Sequence, residues 1–136
     1  MQLKAHGNVN LTWNKNLLVV EVLGPFNLEG VNHCFKKIQE SVLANKPAAW
    51  ARIDILDQET LGSPEVMRVI GATYKWCLEQ GCSGVGSVCT TYLQAEILEK
   101  TRVSTGMNLA GFNTLSDAEA WCCEQLNETI LAAKKS

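Results

Sequence analysis

Between Trp50 and Gln80 an apolar run ending in Asp54-Ile55-Leu56 passes through a polar turn into Ser63-Pro64-Glu65 and then into helical spacing. The order reads as strand, loop and capped helix, with Ser63 as the cap and Pro64 at the first helical position, where its missing N–H removes no hydrogen bond. A strand feeding a helix in this way buries both against one core, which predicts parallel pairing with right-handed crossovers. In open α/β folds, the loops at the carboxyl ends of such strands are where ligands and regulatory groups gather.

The same alternation runs along the rest of the chain. Val9, Leu11 and Trp13 alternate with polar residues, Asn14-Lys15-Asn16 form a turn, and Leu17 to Leu23 is a more continuously apolar run. This predicts a hairpin whose second strand is buried. Gly24-Pro25-Phe26 breaks that strand, and Asn27 caps a helix along Val31, Cys34, Phe35, Ile38 and Val42 that Asn45-Lys46-Pro47 ends. The third strand, from about Ala49 to Leu56, leads to the helix from Ser63, with Val66, Val69, Ile70, Thr73, Trp76 and Cys77 on its inner face and Gly81 as its left-handed stop. Val85 to Cys89 reads as a fourth strand. Leu93 to Met107 keeps looser helical spacing without strong caps, and Leu109 to Phe112 is a short last strand. Ser116-Asp117-Ala118-Glu119 reads as a capping box that opens a final helix through Trp121, Leu126 and Ile130. Nothing resembling a linker or repeat interrupts residues 1–136, so one domain is expected.

Composition removes several classes of function. At 136 residues, a single core buries about two thirds of the unfolded surface without disulfides or a structural metal. A net charge of -2 with no run of Lys or Arg leaves no electrostatic footprint for nucleic acid. The opening Met1-Gln2-Leu3-Lys4-Ala5-His6 has no apolar signal core, and no later segment reaches the roughly 18 uninterrupted apolar residues of a membrane span. A cytoplasmic location is therefore expected. The six cysteines are read as reduced thiols, because Cys34, Cys77, Cys82, Cys89 and Cys122-Cys123 form no Cys-x-x-Cys knuckle and no Cys-His pair at ligand spacing. No metal site and no cofactor are expected.

Motifs that suggest catalysis have simpler readings. Gly81-Cys82-Ser83-Gly84-Val85-Gly86 is glycine-rich but precedes a strand, whereas phosphate-cradling loops follow one, so it is read as helix stop and turn. Asp57 and Glu59 are loop carboxylates beside a helix start, which favours negative charge without any catalysis. Arg52 and Asp54, two apart on a strand, share one face and are expected to form a structural ion pair. His6 and His33 have no evident carboxylate or serine partner. With no assembled nucleophile, base and orienting group, no enzymatic activity is expected.

Several pieces together resemble a known family: Gly24-Pro25-Phe26-Asn27, the strand into Asp54, the helix Ser63 to Gln80, and Phe112-Asn113-Thr114 with Glu119-Ala120-Trp121. They are similar to the SpoIIAA-like group of bacterial STAS-related proteins, and the likeness spans nearly the whole chain. It implies an α/β fold in which four βα units wind a mostly parallel sheet, preceded by an antiparallel hairpin strand. It also implies an architecture shared with anti-sigma-factor antagonists and, more distantly, lipid-transfer domains. In the antagonists a phosphorylatable serine, preceded by aspartate, opens the helix after the third strand. Ser63 holds that position here, but Gly62 precedes it and Pro64 follows, so a plain cap competes with phosphorylation.

Two sites follow. Strand-end geometry predicts a polar ligand rim from Asn27, Asp57, Ser63, Thr90 and Thr91. Met67, Trp76, Leu93, Ile97, Leu98 and Met107 are candidates for an apolar pocket roofed by the segment Leu93 to Met107, which Thr101, Ser104, Thr105 and Gly106 weaken as a helix. The expected partner is a small apolar or amphipathic ligand or a membrane surface. The alternative is a protein-interaction switch controlled at Ser63. A homodimer through a strand edge at Trp13 is a further expectation.

Overall fold

The two periodicities resolve into five strands and four helices in the computed structural model, which describes residues 4–60 and 64–135. In chain order these are β1 (Asn8–Asn14), β2 (Leu17–Leu23), α1 (Leu28–Asn45), β3 (Trp50–Leu56), α2 (Pro64–Glu79), β4 (Cys82–Val88), α3 (Tyr92–Thr105), β5 (Leu109–Phe112) and α4 (Leu115–Lys135). Ser63, the expected cap and a candidate for phosphorylation, lies outside the described residues.

The strands form one sheet in the order β1-β2-β3-β4-β5, with β1 antiparallel to β2 and all other pairs parallel. Each crossover advances the same way across the sheet, so right-handed connections stack α1, α2 and α3 on one face and leave the other to α4. Two cores result. One core gathers Leu18, Val20 and Val22 of β2, Val31, Ile38 and Val42 of α1, Tyr74 and Cys77 of α2, and Leu98 of α3. On the opposite face Leu17, Ala51, Ile53 and Val88 meet Ala118, Cys122 and Leu126 of α4. Being covered on both faces explains why β3 has lost the polar alternation of β1, as buried parallel strands do.

Three local expectations are corrected. β4 begins at Cys82 rather than Val85, so most of the glycine-rich segment is strand, and only Gly81, at φ +92°, makes the turn. The glycines have a packing cause: a Cβ on Gly84 would stand 2.8 Å from the Trp121 ring and 2.9 Å from Asn108 Nδ2. The final helix is capped from Thr114, whose Oγ1 accepts from Asp117 N at 3.1 Å, while Ser116 already lies inside α4. The segment expected to lack strong caps has one. Thr91 and Gln94 form a full capping box at the start of α3, and Gly106 closes it at φ 70°.

The strand that carries Trp13 lies at an edge of the sheet. Trp13 itself is half-buried, with its ring 5.6 Å from that of Trp50 and its Nε1 donating to Ser41 Oγ at 2.9 Å.

Candidate functional site

The carboxyl ends of the strands converge on a polar network built from three loops. Asp57, just past β3, accepts from Gly24 N after β2 at 3.1 and 3.2 Å and from Glu59 N at 3.1 Å. The Thr60 hydroxyl lies within hydrogen-bond distance of both Asp57 Oδ1 and the Val22 carbonyl. Gly24 lets the loop pass, because any Cβ there would collide with the Glu59 carbonyl. Gln94 joins this loop to the next. Its Nε2 donates to the Asp57 carbonyl at 2.6 Å, and its Oε1 accepts from Thr90 N at 2.9 Å and Thr91 N at 3.4 Å.

Asp57, Thr90 and Thr91 are thus brought together through buried Gln94. Asn27 is occupied one loop away. It caps α1 by accepting from Gly30 N at 2.8 Å, accepts from His6 N, and donates to the Lys4 carbonyl. Gln94 itself was missed in the sequence, although Thr91-x-x-Gln94 has capping-box spacing.

Below this rim an apolar groove separates α2 from α3. Leu56, Met67, Ile70, Ile97 and Leu98 form its walls, with Thr60, Gln94 and Thr101 as the polar groups. Met67, Ile97 and Leu98 therefore meet as expected, and Met107 lies further out, sharing a shallow surface with Met67 and Thr105. Trp76 and Leu93 do not line the groove. Trp76 turns the other way to meet Phe35 of α1 edge-on at 6.4 Å, and Leu93 is half exposed in the first turn of α3. The groove holds about 60 Å³, room for a few waters and far below the roughly 300 Å³ at which small-molecule pockets begin.

On the other side of α2, its inner face covers a buried ion pair. Arg52 Nε and the Asp54 carboxylate are 2.7 Å apart, a second bond runs from Nη2 at 3.0 Å, and Nη1 donates to Thr73 Oγ1 at 3.1 Å. The guanidinium stacks 4.9 Å from the Tyr74 ring centroid. Burial is the largest single influence and would lower the Arg52 pKa, but the charge and hydrogen bond of Asp54, together with Cys77 and Tyr74, outweigh it and hold the guanidinium ionised. Burial, reinforced by Asp54, pushes the Tyr74 hydroxyl far above its ordinary value. The pair expected from the i, i+2 spacing is present, and its donors and acceptors are already used within the core.

Among the described residues no group of three or more His, Cys, Asp or Glu side chains could hold a metal. No helix among them is long and apolar enough to cross a membrane.

Comparison with known proteins bears on the fold alone. No family model and no curated protein sequence matches the chain. Among solved structures it is similar to a protein of the DUF3478 family with a SpoIIAA-like fold from Shewanella loihica PV-4, at a TM-score of 0.60 and 20% identity, covering 90% of this chain and 99% of that one. The mixed sheet wound by four helices is SpoIIAA-like, as the resemblance in the sequence implied.

Proposed function

We propose that the protein is a non-enzymatic, cytoplasmic regulatory domain that binds a small apolar or amphipathic ligand between α2 and α3. The observation that carries this reading is the composition of that groove: an apolar wall of Met67, Ile70, Ile97 and Leu98 beneath a rim where Thr60, Gln94 and Thr101 offer polar atoms. An apolar tail fits the wall and a polar head the rim. Since the closed groove is smaller than such a ligand, binding requires α3 to lift. α3 is suited to that because only Gln94 and Leu98 are buried along its length, whereas α1 buries five residues and α2 four.

Native mass spectrometry of the protein purified from its own cells tests the reading. A retained ligand mass, lost on Ile97→Asp, is the expected result. An unliganded mass that also fails to take up added fatty acid overturns it. An added phosphate that maps to Ser63 would move the assignment to the partner switch.

A further inference from the structure

The sheet has two edges, and they are treated differently. Along β1, Lys37 Nζ donates to the Val9 carbonyl at 3.1 Å and to Asn8 Oδ1 at 3.2 Å, placing a lysine on the edge, which opposes strand addition. β5 has no such guard. Val85 N donates to Asn108 O at 3.0 Å and Cys89 N to Phe112 O at 2.9 Å, so the even-numbered residues of this strand face β4. Parallel alternation then turns Leu109 O, Gly111 N, Gly111 O and Asn113 N to the open side. Among the described residues none of these four groups has a hydrogen-bond partner. They border a groove of about 330 Å³ lined also by Ala95, Glu99, Arg102 and Asp117.

We propose that a second copy of this chain fills the groove, pairing its β5 antiparallel with the first about a two-fold axis at Gly111. The pattern of open groups is self-complementary. Gly111 N and O bond to Gly111 O and N of the second copy, and each Asn113 N bonds to the other Leu109 O, so all four groups on each strand are satisfied. A two-fold arrangement closes on itself and makes one continuous ten-stranded sheet, twice the five of a single chain.

The side chains agree with the same axis. A Cβ on Gly111 would lie 3.1 Å from Leu98 Cδ2, so the middle of α3 is level with the axis and the two α3 helices run antiparallel on either side of it. Tyr92 and Val103 are 87% and 69% exposed. They lie in line with groove-lining Glu99, since eleven residues are about three helical turns. Six residues before Leu98 and five after it, Tyr92 of one copy meets Val103 of the other. Arg102 stands toward the amino end of β5 and Asp117 beyond its carboxyl end, so antiparallel pairing brings each Arg102 to the other copy's Asp117. Glu99, next to the axis, keeps Arg102 as its neutralising partner at 2.9 Å.

Sedimentation velocity of the full chain over a concentration series is the test. The expected result is a monomer–dimer equilibrium that Val103→Glu or Arg102→Asp weakens about tenfold or more, and that the charge swap Arg102→Asp with Asp117→Arg restores. All three positions are exposed, so circular dichroism should show the fold unchanged. A chain that stays monomeric to its solubility limit overturns the proposal. So does a dimer that ignores these substitutions.

Discussion

Arg52 and Asp54 show how a residue pair can look like a binding site and be part of the frame. Both are almost fully buried, and each satisfies the other, with Thr73 and Tyr74 completing the enclosure. Removing one partner leaves an unpaired charge in the core, so Arg52→Met is expected to cost about 3–5 kcal/mol in urea denaturation. Arg52→Met combined with Asp54→Leu should recover most of that loss, because two apolar side chains leave no charge behind. The thiols give a second test at this scale. Burial pushes Cys82 and Cys122 up to about 12, and it raises Cys34 and Cys77 as well. A raised folded pKa on an acid means that the folded state holds the proton longer than the unfolded chain. Stability is therefore fully present below the unfolded thiol pKa of about 8.5 and falls as pH rises from there toward 12, by up to about 1.4 kcal/mol per pH unit for each such group. Denaturant melts between pH 7 and 11 check the sign. Under native conditions iodoacetamide should label exposed Cys123 well before the buried thiols.

Elements were legible in the sequence wherever one periodicity acted alone, and illegible where long-range packing chose the residue. The alternation of β1, the apolar stripe of α1 and the Asn27 cap all follow from local rules, and the structure matches them. Gly84 and Gly86 do not. Locally two glycines read as a turn, and only the arrival of Trp121 from α4, more than thirty residues later, makes them a flat strand surface. Gly84→Val should therefore destabilise by about 1–3 kcal/mol through overpacking against Trp121, even though valine is the better strand former. A thermal melt showing a gain would reject that account. The cap of α3 was missed for the opposite reason: the signal Thr91-x-x-Gln94 is local, but it sits before the first apolar residue of a weak stripe. Thr91→Ala should cost about 0.5–2 kcal/mol and loosen Gln94 from the Asp57 carbonyl, joining two loops less firmly. The rim was legible in part, since Asp57, Thr90 and Thr91 follow from strand ends alone, whereas the turn of Trp76 toward Phe35 depends on where α1 lies.

At the scale of the whole molecule α3 is the element with two neighbours to choose between. One flank, with Ile97 and Thr101, roofs the apolar groove against α2, and the other, with Glu99 and Arg102, faces the open edge beside β5. Its few buried residues imply that it opens more readily than α2, so amides from Ile97 to Gly106 should exchange before those from Val69 to Cys77. Dimerisation at β5 adds contacts that exist only while α3 is seated, and by mass action these stabilise the closed form as concentration rises. Hydrogen exchange at low and high protein concentration should then show Gly111, Asn113 and the α3 amides becoming protected together, while α2 stays unchanged. The Val103→Glu variant should abolish that concentration dependence and take up added fatty acid faster than the parent chain. Protection of α3 that rises with fatty acid but never with concentration would leave the groove reading standing and remove the dimer. Equal protection of α2 and α3 under every condition would make α3 an ordinary part of the core, with neither site able to use it.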